Sequence, residues 1–268
     1  MKYTRLVAYG CSFTAGTELV DHLFYNSSED QLDEKKRNDS KYFDISNFLD
    51  NQTLQKVRLE EKKHSYAAHI ANNLDLQLVN NGIAGASNDY MIYCYERDRA
   101  TGKLFDTDLI LFGLTSNSRW FFIDNDGNPC RPMLGYPHPY TEWRSAKLYK
   151  HFINTCGNPN NLLYNQIRSI KYIDAIHSTN KNVMAANLHS SLYDQFNWSH
   201  REDKLSKDII DIYTSQPTYE CIIDNDISFD SLVDWNNKSH YHGGMHPKEK
   251  FHIQLADHLS KIMIANIC

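Results

Sequence analysis

Short apolar runs recur along the chain and alternate with amphipathic segments. Runs of about four to eight apolar residues are typical of buried strands. Five strands are predicted on this pattern: 6–9, 76–79, 109–112, 182–188 and 221–223. Because helical patterns separate these strands, we predict an α/β fold whose mostly parallel sheet is covered by helices on both faces.

Six helices are predicted, and one of them carries Leu163, Ile167, Ile170 and Ile173 on or near one stripe. They span 14–23, 52–62, 65–73, 89–98, 162–177 and 248–264. Two stretches interrupt the pattern: a polar, charge-rich one near 26–63, and an aromatic, Gly- and Pro-containing one near 119–157. We interpret the first as an exposed insertion and the second as a long loop or hairpin, within a single domain over 1–268.

Composition supports a soluble domain of enzyme size. The chain has 268 residues, of which 41% are hydrophobic and 23% charged, so it can bury a full core. Its net charge of −5 gives no general attraction to nucleic acid or anionic membranes. No apolar run approaches the length of a membrane span, and no apolar signal region is seen at the N-terminus. We therefore expect a cytoplasmic protein, or a virion-associated one if phage-encoded, with its six scattered cysteines reduced.

The first predicted strand ends in a turn that could present a nucleophile. Gly10, Cys11 and Ser12 follow the strand, and Gly16 comes four residues after the serine. A sharp strand-to-helix turn lifts the next side chain out of the sheet, and the helix start supplies free backbone N–H groups. Such a turn suits a nucleophilic hydroxyl and the negative charge of an acyl transfer. The alternative interpretation is that Ser12 only caps the helix.

The neighbours of Ser12 have simpler expected roles. Cys11 could itself be a nucleophile, since thiol pKa values fall at helix N-termini. We instead expect its side chain to point into the sheet, opposite Ser12, and Phe13 to lie in the core.

Two further polar turns, at 82–88 and 113–117, follow predicted strands. The carboxyl ends of parallel strands lie along one edge of a sheet, where ligands bind. His246, in a glycine-rich loop and followed by Pro247, could reach that edge and take the proton from Ser12. The alternative is an ordinary loop histidine.

These turns resemble the motifs of the SGNH (GDSL-type) hydrolases, a family of esterases and deacylases. Residues 10–16 match the block Gly-Asp-Ser-x-x-x-Gly with Cys11 in place of Asp, and residues 80–85 match Asn-x-Gly-x-x-Gly. Residues 113–115 correspond to Gly-x-Asn, and residues 243–247 to Asp-x-x-His-Pro. The resemblance covers essentially the whole chain, and its variant form is similar to divergent members from bacteriophage and bacterial genomes. It implies a three-layer α/β/α fold with a flavodoxin-like sheet of about five strands.

The resemblance implies a role for each matched residue. Ser12 is the nucleophile and His246 is its general base. The backbone N–H groups of Ser12 and Gly85 form part of the oxyanion hole. The family's third donor is an asparagine, whose place Thr115 takes with a hydroxyl that can donate one hydrogen bond. Two other side chains could also reach the hole: Asn117 and Asn88.

The chain departs from the family at the acid of the triad, because Gly243 stands where Asp is expected. A backbone carbonyl could orient His246 in a Ser–His dyad, or a carboxylate could come from elsewhere. The candidate acids are Asp234, Asp224 and Asp226. A triad without its acid loses about four orders of magnitude in rate if nothing compensates.

Three functional hypotheses follow. The first is a serine hydrolase that cleaves an acyl or acetyl ester of a carbohydrate or small metabolite, with no cofactor and no metal. The second is a catalytically weak or inactive binding or structural module on the same fold, such as a virion or glycan-binding component. A third, a metal-dependent hydrolase, would use His240, His242 and His246, but no further ligands are obvious. We expect neither nucleic acid nor a membrane as partner, and the oligomeric state stays open.

Overall fold

The computed structural model describes residues 2–17, 19, 51–115, 119, 121–123, 129–130, 159–189, 220–223, 227–237, 239–240 and 246–267. Within these ranges the chain forms a parallel sheet of five strands and a separate antiparallel pair. The strands are β1 (Arg5–Gly10), β2 (Gln77–Asn80), β3 (Asp108–Leu114), β4 (Phe122–Ile123), β5 (Pro129–Cys130), β6 (Val183–Asn187) and β7 (Ile222–Ile223). The large sheet has the order β2-β1-β3-β6-β7, which is the flavodoxin-like order.

Helices cover both faces of this sheet. They are α1 (Ser12–Ala15), α2 (Asn51–Lys63), α3 (Tyr66–Asn73), α4 (Asn88–Ala100), α5 (Pro159–Thr179), α6 (Phe229–Leu232) and α7 (Glu249–Ile267). Helices α3 and α7 pack together on one face, and α4 and α5 pack together on the other. The predicted three-layer α/β/α fold with about five parallel strands is therefore confirmed.

The central strands read as continuous apolar runs because helices bury both of their faces. Every residue of β3 is buried, and β1 is buried from Leu6 to Gly10. Serine caps start the helices that flank them: Ser65 accepts a hydrogen bond from the Ala68 N–H before α3, and Ser87 does the same for the Tyr90 N–H before α4. Each cap satisfies a donor that the first helical turn leaves free.

Helix α2 differs from the exposed insertion that its polar sequence predicts. Val57 and Glu61 are completely buried, and the helix packs against α1 and α3. The Glu61 carboxylate accepts two hydrogen bonds of 2.8 Å from Arg58 on its own helix. Because the charge is compensated locally, a helix of low hydrophobicity can bury one face. The stretch 26–50 lies outside the described residues.

The aromatic stretch near 119–157 is described only at 119, 121–123 and 129–130. Strands β4 and β5 form the antiparallel pair there. The Phe121 ring lies 5.1 Å from the rings of both Tyr90 and Tyr93 on α4, so this part of the loop packs on the helical layer. In the parts of the chain that the structure describes, none of the helices combines the length and apolarity needed to cross a bilayer.

Candidate functional site

The strand order reverses between β1 and β3, and the polar turns meet at their carboxyl ends. Gly10 at the end of β1 lies beside Gly113 near the end of β3. The turn after β2 continues along β1, since the Ile83 N–H donates a 2.9 Å hydrogen bond to the Gly10 carbonyl. The structure thus brings together the three turns that the sequence predicts at one edge. In open α/β sheets such a reversal is the usual place for a ligand.

The Asn80 side chain joins the turn after β2 to the turn that carries Ser12. Its amide nitrogen donates to the Thr14 carbonyl at 2.7 Å and to Ser65 Oγ at 3.1 Å. Its amide oxygen accepts from the Gly82 N–H at 2.9 Å. A Cβ on Gly82 would lie 2.5 Å from the backbone nitrogen of Ala15, so only glycine allows this approach. The two turns are therefore fixed relative to each other.

Ser12 begins α1 and is 4% exposed. Gly85, in the adjacent turn, has a φ of +76°, and a Cβ built on it would meet no atom within 4 Å. Within the described part of the chain, the backbone N–H groups of Ser12 and Gly85 donate no hydrogen bond. Backbone N–H groups that donate no hydrogen bond are the kind of donor that an oxyanion hole uses.

Thr115 follows β3 and is held by Asn88. The Asn88 oxygen accepts from the Thr115 N–H at 2.9 Å, and its nitrogen donates to the Thr115 carbonyl at 3.2 Å and to Gln166 Oε1 at 3.1 Å. One amide hydrogen of Asn88 therefore bonds the Thr115 carbonyl and the other bonds Gln166. The Thr115 hydroxyl is buried and has no hydrogen-bond partner among the residues described. Asn117, the other predicted donor, lies outside the described residues.

His246 lies at the Ser12 turn. Its ring is 5.6 Å from the Phe13 ring and nearly perpendicular to it, and Phe13 directly follows Ser12. No hydrogen bond joins Ser12 to His246 in the described part of the chain. Long or absent catalytic hydrogen bonds are common in proteins without bound substrate, so this placement suits a base that engages Ser12 with substrate present.

The structure places Asp234, the predicted acid, in a surface turn. Its carboxylate accepts from the Asn236 N–H at 3.0 Å, and its own N–H donates to His240 Nδ1 at 3.2 Å. His240 also packs on Phe251. Gly243, His242 and the alternative acids Asp224 and Asp226 lie outside the described residues. Among those described, no three His, Cys, Asp or Glu side chains form a group that could hold a metal ion.

Sequence reasoning missed a second histidine at this edge. His189 follows β6, and its ring lies 4.9 Å from the Phe13 ring. Its Nδ1 is 3.7 Å from an oxygen of Asp230 on α6. The sequence feature that could have indicated His189 is its position just after a predicted strand. The other three turns also directly follow predicted strands. Asp230 offered no such signal, since it lies on a short helix far along the chain.

Cys11 is completely buried. Its surroundings are not purely apolar, because charged side chains lie near the thiol. Burial raises the pKa of its thiol, yet the charges of Arg119 and His189 outweigh this effect and lower the pKa to about 6. Burial lowers the pKa of His189, but Asp230 and Cys11 raise it above its ordinary value. Arg119 Nη1 also lies 3.5 Å from the Ala86 carbonyl, beside Gly85. The site therefore concentrates charge next to Ser12.

No family model matches the sequence, and no curated protein matches it. Solved structures of similar fold include a member of the lipolytic protein G-D-S-L family from Veillonella parvula, with 11% identity and a TM-score of 0.42 over 97% of this chain and 98% of that chain. Another is a catalytic mutant of an acetylxylan esterase from Geobacillus stearothermophilus, with 11% identity and a TM-score of 0.44 over 98% of this chain and 96% of that chain. The similarity of both proteins to this chain is one of fold.

Proposed function

We propose that the chain is a hydrolase of the SGNH type that cleaves an ester with Ser12 as nucleophile. The observation that carries the proposal is the set of free donors around the reversal of strand order. The N–H groups of Ser12 and Gly85 and the buried hydroxyl of Thr115 have no hydrogen-bond partner in the described chain. Buried donors without partners cost free energy, and a forming oxyanion would supply the missing partner.

In the proposed reaction, Ser12 Oγ attacks the ester carbonyl carbon and its proton passes to His246. The tetrahedral oxyanion accepts hydrogen bonds from Ser12, Gly85 and Thr115. His246 then gives the proton to the departing alcohol oxygen as the C–O bond breaks. Water, deprotonated by His246, attacks the acyl group, and the acid leaves as Ser12 regains its proton.

The surroundings of Ser12 favour a small acyl group. Ser12 is nearly buried, and Phe13 beside it packs against two histidine rings and Phe229. The open space lies at Gly85. We therefore propose acetyl or a similarly short acyl group, carried by a carbohydrate or a small metabolite.

The direct test is hydrolysis of p-nitrophenyl acetate, with the octanoate as the long-chain comparison. Ser12→Ala is expected to lower kcat/KM by about 1000-fold or more, with acetate preferred over octanoate. Ser178→Ala is the matched control, because its hydroxyl bonds only a carbonyl on its own helix, and it should leave the rate unchanged. Equal rates for wild type and Ser12→Ala would refute the serine assignment.

The departures from the family motifs favour the second hypothesis, a silent binding module: Gly243, Thr115 and Cys11 stand where the family has Asp, Asn and Asp. A fluorophosphonate probe separates the two. Labelling of Ser12, absent in Ser12→Ala, supports the hydrolase. An unlabelled protein that still binds acetylated oligosaccharide supports the binding module.

A further inference from the structure

One carboxylate at the start of α7 meets two imidazoles from the neighbouring helical layer. Glu249 Oε1 lies 2.8 Å from His64 Nδ1 and 3.6 Å from His69 Nε2. Because an ionised carboxylate only accepts hydrogen bonds, His64 Nδ1 donates the 2.8 Å bond. His64 lies between α2 and α3, and its Nε2 is 3.8 Å from Glu60 Oε1 on α2. The first residue of α7 is therefore joined to α3 and to the turn before it.

His246, the proposed base, comes three residues before Glu249. Pro247 between them is buried, and its ring fixes the backbone angle φ there. The Lys248 N–H donates a 3.1 Å hydrogen bond to the His240 carbonyl. Three residues span at most about 11 Å between Cα atoms, so the placement of Glu249 limits where the His246 backbone can lie.

Helix α3 also relates α7 to the helix that carries Ser12. The Tyr66 N–H at the start of α3 donates to His252 Nδ1 on α7 at 3.0 Å. The Tyr66 hydroxyl bonds Thr14 Oγ1 on α1, also at 3.0 Å, and both hydrogen bonds are buried. The start of α3 is thus bonded to the helix that follows His246 and to the helix that begins at Ser12.

We propose that Glu249 is a positioning residue for His246. Held by His64 and His69, Glu249 fixes the start of α7 against α3, and thereby sets the separation between the His246 imidazole and the Ser12 hydroxyl. For its effect on rate this inference rests on the proposed ester-cleaving function. For its effect on the placement of the His246 ring it rests on the contacts between the helices, so the two can fail separately.

The departure at the triad acid gives this contact its importance. Gly243 stands where the family has its aspartate, so the side chain at that position cannot orient the His246 ring. The placement of the backbone at the start of α7 then carries more of the orientation. A reacting group misplaced by about 1 Å can cost about 100-fold in rate, so a carboxylate that never touches the substrate can still control the reaction.

The placement of the ring is tested by NMR of isotope-labelled histidine, with the His246 signal assigned through His246→Asn. Glu249→Ala is expected to shift and broaden this signal, and Glu249→Gln, which keeps an oxygen that accepts from His64, should restore it. Asp257→Ala is the matched control, since Asp257 accepts a 3.1 Å hydrogen bond from Asn73 of α3 farther along α7; it should leave the signal unchanged. An unchanged signal in Glu249→Ala, or an equal change in Asp257→Ala, overturns the proposal.

The effect on rate is tested with p-nitrophenyl acetate, as kcat per folded molecule. Glu249→Ala is expected to lower kcat by about 10- to 100-fold and to keep KM within about twofold, because only the base is displaced. Glu249→Gln should recover most of kcat, and Asp257→Ala should keep it. Full kcat in Glu249→Ala, with wild type active, overturns the positioning role. An inactive wild type whose His246 signal responds to Glu249→Ala instead counts against the proposed hydrolase and leaves the positioning of the ring supported.

Discussion

Polar groups at the amino ends of the central strands (the amino edge) and at their carboxyl ends (the carboxyl edge) have opposite patterns of hydrogen bonding. At the amino edge, Arg5 and Asp108 face each other at the starts of β1 and β3 and share two hydrogen bonds of 2.7 and 2.6 Å. The Asp108 carboxylate also accepts from the Phe105 N–H, and its carbonyl accepts from Asn182. At the carboxyl edge, the Thr115 hydroxyl and His189 Nε2 are buried without a hydrogen-bond partner in the described chain.

We therefore expect the amino edge to contribute to stability and the carboxyl edge to contribute to function. A buried polar group without a partner costs about 1–3 kcal/mol, and a fully paired one costs little. The amino edge has the pattern of a structural element, and the carboxyl edge has the pattern expected of the proposed site. Substitutions at the two edges should therefore act on different measured quantities.

The largest expected effect is at the amino edge. Arg5→Ala leaves the completely buried Asp108 carboxylate without its cation and should lower the free energy of unfolding by about 3–5 kcal/mol. Urea unfolding measures this loss. The activity per folded molecule should not change, because Arg5 is remote from Ser12 along the strand. A loss below about 1 kcal/mol would contradict the structural role.

Lys181→Ala is the matched control for Arg5→Ala. Lys181 pairs with Glu220 at 2.7 Å, but both side chains are exposed. Its removal should cost about 0–1 kcal/mol, as for other surface ion pairs.

At the carboxyl edge, Thr115→Val removes the unpartnered hydroxyl and keeps the shape of the side chain. Loss of one oxyanion donor should lower kcat by about 100-fold, or 2.7 kcal/mol in the barrier. The free energy of unfolding should stay the same or rise, because a buried hydroxyl without a partner is removed. Thr14→Val should instead lose about 1 kcal/mol of stability, since the Thr14 hydroxyl bonds Tyr66 at 3.0 Å. A Thr115→Val enzyme of full activity would exclude Thr115 from the oxyanion hole.

The smallest effect is expected for Gly85→Ala. Its positive φ costs an alanine about 1 kcal/mol, although there is space for the methyl group. Gly102→Ala is the matched control. Gly102 has a φ of +69°, and a Cβ built on it would also meet no atom within 4 Å, but it lies before the start of β3, on the side of the sheet away from the candidate site. Both variants should lose similar stability in urea, and only Gly85→Ala should lower kcat. Equal kcat losses would argue against a role for the Gly85 N–H.

The sheet and its layers could be predicted because local patterns specify them. β3 is an uninterrupted apolar run, and Ser65 and Ser87 are recognisable caps. Helix α2 was predicted, but its packing was not. The burial of Glu61 depends on Arg58 one turn earlier and on packing against α1 and α3, which the polar composition of the segment conceals.

The candidate site was predicted from strand ends alone. Ser12, Gly85 and Thr115 follow strands that the sheet order places side by side. The pairing of His189 with Asp230 joins residues 41 positions apart through tertiary structure alone. Asn88 was predicted as a donor, but its amide serves the Thr115 backbone, a choice that only packing determines.

One aromatic ring packs against both histidines of the candidate site. Phe13 contacts both His189 and His246 and directly follows Ser12, the proposed nucleophile, in the chain. A ligand that tilts this ring would move both imidazoles together. Double-mutant cycles between positions 189 and 246 should therefore show energetic coupling instead of simple addition, so a substitution at one histidine changes what the other contributes.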